Sequence, residues 1–503
     1  MLENITLENF KAFKSLNQLA LRPVTILSGI NSCGKSSILQ SILLLKQTVE
    51  SKNPNQTLLL NGRFVHLGAF ENVVYEKNLD NTIKFKFSFN VRPVDFTLAR
   101  RSRHQAPLSF LFRGMVGDRT LFSRGEHLIS YEVNVKASTK PAKRYLGSLV
   151  VPHACFDLVT RTPDGEIIPG SRIEMTIKES DAYDLKWRNL ESYGEDIPKS
   201  GTGEANITFT NLFPMSITVP GEPGSNRKTH AATYLAYRMG DIFQSILSSF
   251  TYIGPLREEP SRRYIYEDEI VEIGTKGENA AYIYLSEQED DIKPPSYFYN
   301  SRSDSFVAES GPLKLSIALS RWLDLMKITD FRAEPVNEII YLKLNSSSSR
   351  KTRVNIADVG FGVSQIFPIL LEGLRMPRGS TLLLEQPEIH LHPNLQMQMA
   401  DYFISLALSG KRVIVETHSD HIINRLVRRI VEDVNLNLKD QIAIYFIRPN
   451  VNGAVFEEIK IDDKRGIINW PEDFFDQTAL EQEKILQAGL KKRQAARARE
   501  GKK

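Results

Sequence analysis

Eight residues near the N-terminus have the types and spacing to hold a nucleoside triphosphate. Gly29-Ile30-Asn31-Ser32-Cys33-Gly34-Lys35-Ser36 reads G-x-x-x-x-G-K-S. The two glycines let the main chain wrap so that the N–H groups of Asn31, Ser32, Cys33 and Gly34 face a phosphate where a helix begins. Lys35 is then placed for the β and γ oxygens, and the Ser36 hydroxyl, with Ser37 beside it, for Mg²⁺. The flanks agree, because Val24-Thr25-Ile26-Leu27 is an apolar strand and 35–48 an apolar helix. The expected ligands are ATP and Mg²⁺.

Three later stretches carry matching chemistry. Thr381-Leu382-Leu383-Leu384 runs into Glu385-Gln386-Pro387-Glu388, a buried strand that ends on a carboxylate suited to the metal. Asp358-Val359-Gly360-Phe361-Gly362-Val363-Ser364-Gln365 is a glycine-flanked Ser-Gln turn entering an apolar helix. Arg412-Val413-Ile414-Val415-Glu416-Thr417-His418-Ser419 is a strand ending in Thr-His-Ser.

The elements that must position these groups divide the chain into four segments and a tail. Segment 1–90 opens with strands and closes on the strict alternation of Ile83-Lys84-Phe85-Lys86-Phe87-Ser88-Phe89. Segment 91–228 reads as a β-rich insertion punctuated by Pro, Gly, Ser and Asn. Segment 229–335 reads as a helical insertion or arm, with helices over 229–250 and 312–328. Segment 336–478 alternates strands and helices, which predicts a largely parallel sheet covered by helices. Segment 479–503 is expected to be a polar helix running into a disordered basic end.

Composition bounds the rest. At 41% hydrophobic and 25% charged residues the chain is globular rather than disordered. No apolar run is long enough to span a bilayer, which predicts a protein of the cytoplasm with no membrane partner. Two cysteines, Cys33 and Cys155, cannot build a disulfide framework or a four-ligand zinc site. The net charge of +4 hides an asymmetry: residues 489–503 hold seven bases and one acid, so residues 1–488 sum to −2. The tail can attract nucleic acid non-specifically at low salt, and the body has no general basic character. Arg257, Arg262 and Arg263 with Tyr264 and Tyr266 form a basic-aromatic cluster that could stack on nucleic acid or serve inter-domain packing. His390 and His392 could be a metal pair or part of an inter-subunit loop. Cys33 is either a small residue fitting a tight loop or a redox switch.

The ordered motifs resemble the ATP-binding-cassette ATPases of the structural-maintenance-of-chromosomes and overcoming-lysogenisation-defect type. Asn9-Phe10-Lys11-Ala12-Phe13 matches the N-F-K-x-F element that opens such heads. The resemblance covers 1–90 and 340–450, and is nearest to an uncharacterised bacterial branch. That branch carries Glu-Gln-Pro-Glu-Ile-His-Leu-His-Pro, Tyr-Ile-Gly-Pro-Leu-Arg and Trp-Pro-Glu-x-Phe-Phe-Asp, which stand here at 385–393, 252–257 and 470–476. It implies an α/β fold: an ABC-type ATPase head with a phosphate-loop parallel sheet and an antiparallel β lobe, interrupted by a β-rich and helical insertion. It also implies homodimers or higher homo-oligomers that pair head-to-tail. Each ATP is then closed by Gly360, Gly362, Ser364 and Gln365 of the other protomer, and His418 senses the γ-phosphate in cis. Bacterial members of the group often stand beside a nuclease or toxin gene in anti-phage defence, so the resemblance implies a sensor or scaffold controlling a separate effector.

Departures from the group's pattern set the expected rate. Glu385 replaces an aspartate as the metal acid beside Ser36, and Gln386 stands where a glutamate usually polarises the attacking water. An amide can orient water but cannot take its proton, so hydrolysis should be slow. Glu388 is the nearest candidate for the missing carboxylate. The group's joining glutamine has no evident counterpart: Gln40 and Gln47 come too early, and 67–72 holds none. Two other functions compete, a DNA-maintenance ATPase acting directly on DNA and a near-inactive ATPase scaffold. The −2 body and the missing coiled coil weigh against the first. A transporter cassette is excluded by the long insertion and missing coupling element.

Overall fold

The computed structural model describes residues 2–53, 56–91, 125–138, 149–189, 198–220, 225–265, 272–346, 349–471, 474–475 and 477–500. Its centre is a six-stranded sheet in the order Phe250–Ile253, Thr381–Glu385, Arg412–Glu416, Val24–Gly29, Ile442–Asn450, Gly453–Glu458. The first five strands are parallel and the last is antiparallel. Apolar residues on nearly every position mark strands buried on both faces.

Side-chain alternation splits that sheet between two cores. Leu27, Leu383, Ile414 and Tyr445 face one core. Ile26, Leu384, Val415 and Phe446 face the other. On the first face lie the helices Lys35–Val49 and Ser225–Ser248 and a nine-stranded antiparallel sheet. On the second lie the helices Leu315–Leu325, Phe361–Arg375, Pro393–Leu408 and Asp420–Glu432. The mixed α/β architecture and the parallel sheet read from the strand-helix alternation are both present.

The segment boundaries need correction. Ile83–Val91 pairs with Leu2–Phe10 on one side and Glu126–Ala137 on the other, so a division at 90 cuts a continuous sheet. The β-rich stretch 91–228 extends the N-terminal lobe strand by strand. Phe243, on helix Ser225–Ser248, fastens this sheet by packing against Phe89, Tyr131 and Phe213. Segment 229–335 is no arm, because Phe250–Ile253 forms the edge of the parallel sheet and Leu315–Leu325 packs into the second core. The expected polar helix spans Gln477–Glu500, and residues 501–503 lie outside the described residues. Phe474, fully buried, packs edge-on against Phe446 and Trp470, so part of the 470–476 motif anchors the C-terminal region to the sheet. Among the described residues no helix is long and apolar enough to cross a membrane.

Asp401 is 0% exposed and accepts from Arg425 and Arg429, joining Pro393–Leu408 to Asp420–Glu432. Asp401→Ala strips two guanidinium groups of their buried carboxylate, which costs about 3 kcal/mol. A lower urea midpoint is the expected result.

Candidate functional site

The phosphate loop is built where no side chain fits. Gly29 has φ 150°, and a Cβ there would lie 2.0 Å from the Ile447 carbonyl oxygen. Gly34, at φ 106°, precedes helix Lys35–Val49, and its Cβ would meet that of Ala12 at 2.9 Å. Only glycine meets both demands. The Asn9-Phe10-Lys11-Ala12-Phe13 element is the floor under this loop. Its turn runs through positive φ at Asn9 and Lys11, the Ala12 carbonyl accepts from the Ala454 N–H at 2.8 Å, and the Lys11 N–H donates to Val73.

Within the loop, the Lys35 ammonium donates to the carbonyls of Gly29 at 3.0 Å and Ile30 at 2.6 Å. The Cys33 thiol donates to the Ile447 carbonyl at 3.0 Å, and burial raises its pKa. Buried, bonded and held as a thiol, Cys33 lacks the thiolate that a redox switch needs. Gln47 binds residues 59–65, donating to Leu59 and accepting from the N–H groups of Phe64 and Val65.

Three carboxylates gather beside the loop. Glu385 ends its strand and accepts from the Tyr252 hydroxyl at 3.0 Å. Burial raises its pKa, against the lowering effect of the Tyr252 bond. Gln386 turns the chain away at φ 44°, with its N–H donating to the Glu416 carbonyl at 2.7 Å. Glu388 accepts from the Thr417 hydroxyl at 2.8 Å and the His418 N–H at 2.7 Å. Both its oxygens therefore position the Thr-His turn. The His418 imidazole is lowered by burial and then by the Lys35 charge, which favours its neutral form.

The third carboxylate, Glu416, was not among the residues expected here. It accepts from the Ser36 hydroxyl at 2.9 Å, so the hydroxyl expected at the metal is held by the strand next to that of Glu385. Burial first, then the charge of Glu385, push Glu416 up to about 7. The signal was present in the sequence: Thr-Leu-Leu-Leu-Glu and Arg-Val-Ile-Val-Glu both end on an acid, and the register pairs Glu385 with Glu416.

Tyr252 and Arg257 are further additions. Arg257, 5% exposed, donates to the carbonyls of Glu385 and Gln386 at 3.0 and 3.2 Å. It supports the acid strand from inside. The basic-aromatic cluster is thus dispersed, for Arg262 pairs with Asp358 and the Tyr264 hydroxyl accepts from the Ser261 N–H. Tyr266 lies outside the described residues.

The Ser-Gln turn sits elsewhere. Gly360 is exposed at φ 83° where helix Phe361–Arg375 begins, and a Cβ on Gly362 would be 3.6 Å from the His390 carbonyl. Ser364 and Gln365 are 6% and 3% exposed, so the open part of this turn is its glycines. His392 accepts from the Asn394 N–H to cap helix Pro393–Leu408. Among the described residues no group of three His, Cys, Asp or Glu side chains is placed to hold a metal.

An "AAA ATPase domain" family model matches residues 1–148 and 239–423. The chain belongs to the AAA ATPase domain family. A second model, described as a protein of unknown function (DUF3696), matches residues 439–485. No curated relative matches the chain. Among solved structures it is similar to the SMC head domain from Thermotoga maritima, at 9% identity and a TM-score of 0.35, covering 92% of this chain and 99% of that one. It is also similar to an SmcHead bound to the C-winged helix domain of ScpA, at 11% identity and 0.42, covering 92% and 98%. A third is the Smc head domain with an extended coiled coil bound to the C-terminal domain of ScpA derived from Pyrococcus furiosus, at 10% and 0.33, covering 91% and 96%.

The raised Glu416 gives this AAA-family chain a pH-dependent stability. A folded-state value above the ordinary 4.5 means that the native chain holds the proton more tightly. The associated stability is full below about pH 4.5 and is lost as pH rises through about 7. Glu416→Gln should flatten the melting temperature between pH 6 and 8 and raise it at pH 8, measured without nucleotide.

Proposed function

We propose that the chain binds Mg·ATP on residues 29–36 and pairs head-to-tail, each ATP closed by the Gly360–Gly362 turn of a second protomer. One observation carries this reading. The phosphate-loop helix packs on one face of the sheet and the helix behind that turn on the other, an arrangement that supports closure of each loop by a second protomer's turn. ATP bound between two copies would act as a linker between them.

In this reading the loop N–H groups and Lys35 take the phosphates, and Ser36 and Glu385 offer hard oxygen donors that suit Mg²⁺. A Mg²⁺ held there would supply charge neutralisation for the phosphates. Gln386 orients water without accepting its proton, and Glu388 is engaged with Thr417 and His418. With the Gln386 amide unable to take the proton and both Glu388 oxygens engaged, the expected behaviour is slow hydrolysis and a long-lived ATP-bound pair. Such a pair suits a sensor or scaffold controlling a separate effector. The nuclease or toxin effector and the anti-phage setting rest on the resemblance drawn from the motifs. A direct DNA role lacks comparable support, since Arg257 is buried and Arg262 is paired.

Light scattering should give a dimer mass for wild type with Mg·ATP and a monomer mass for Lys35→Ala. Gly362→Glu should still bind ATP but remain monomeric, because it adds bulk and negative charge to the closing turn. An acid in the first helical turn does not oppose folding. Turnover should fall well below the roughly 10 s⁻¹ of a median enzyme, without stimulation by DNA. A Gly362→Glu dimer equal to wild type would refute head-to-tail closure.

A further inference from the structure

We infer that Glu416 is a protein ligand of the Mg²⁺ that accompanies ATP, acting with Ser36 and Glu385 at the ends of neighbouring strands; this rests on the ATP-binding reading above. The two oxygens of Glu416 differ in their surroundings. Oε1 accepts from the Ser36 hydroxyl at 2.9 Å. Oε2 is buried with no hydrogen-bond partner, on a side chain 4% exposed. A sealed carboxylate oxygen without a donor is costly, and a cation beside it removes that cost.

Its neighbours are more fully engaged. Glu388 uses both oxygens on Thr417 and His418, and Glu385 gives one to Tyr252. The strand register sets Glu385 and Glu416 directly opposite each other. Two facing carboxylates and a serine hydroxyl make a hard-oxygen donor set. Mg²⁺ commonly takes one or two carboxylates and completes its shell with phosphate oxygens and water. That composition agrees with the lack of a three-ligand protein group among the described residues. Glu416 immediately precedes Thr417-His418, so a metal held by it would also steady the turn that Glu388 grips from the other side.

The test compares ATP affinity by calorimetry in Mg²⁺ and in EDTA for wild type, Glu416→Gln and Glu416→Asp. Wild type should bind ATP more tightly with Mg²⁺. Glu416→Gln should reduce that Mg²⁺-dependent gain by about tenfold or more, the scale seen when groups supporting a metal site are changed. Glu416→Asp keeps the charge but withdraws the oxygen, and should show an intermediate loss. An undiminished gain in Glu416→Gln would show that Glu416 only holds Ser36, overturning the inference while leaving ATP binding intact. Should Glu416→Gln not fold, Glu416→Asp is read alone: a reduced gain supports the assignment and a full gain overturns it. If wild type fails to bind Mg·ATP, the ATP reading falls and this one with it.

Discussion

The site depends on a backbone-to-backbone approach that only glycine permits. Gly29 runs so close to the Ile447 carbonyl that a Cβ would overlap it, and a Cβ on Gly34 would press on the Ala12 side chain. These approaches fix the loop against the strand Ile442–Asn450 and the turn that follows Leu2–Phe10. The remaining groups are placed relative to that anchored loop. Thr417 N–H donates to the Leu27 carbonyl, and Ser36 reaches Glu416 on the next strand.

The second organising feature is the two-sided sheet. Parallel strands place their carboxyl ends along one edge, which is where open α/β sheets gather ligand-binding groups. Glu385, Glu416 and the loop all lie there. Burial works against all three site acids, raising Glu385, Glu388 and Glu416. For Glu385 and Glu416 the local polar groups that offset this are few: Tyr252 on Glu385 and Ser36 on Glu416. A site so dominated by buried negative groups favours a cation and the lysine-lined loop beside it.

Local motifs were legible and pairings were not. The glycines, Lys35 and the apolar strands declare themselves within a few residues, because their roles follow from backbone conformation and period. Glu416 needed the register between two strands, although each already ended on an acid. The cluster around Arg257 left nucleic-acid stacking and packing both open, and only the fold shows its buried guanidinium supporting the acid strand from within. The cut at residue 90 failed for a related reason: alternation identifies a strand, and says nothing of whether the next one pairs with it. The motif assigns Gly360, Gly362, Ser364 and Gln365 to a partner's phosphate, and in the single chain Ser364 and Gln365 are buried while Gly360 is exposed.

The central claim is that one protomer's loop and another's turn make each ATP site. Native mass spectrometry on a mixture of Lys35→Ala and Gly362→Glu tests it most directly. Neither variant should dimerise alone with Mg·ATP. Mixed, they should form a heterodimer carrying one ATP, since the Gly362→Glu protomer brings an intact loop and the Lys35→Ala protomer an intact turn. Finding no heterodimer, or a Gly362→Glu homodimer with two ATP, would contradict the account.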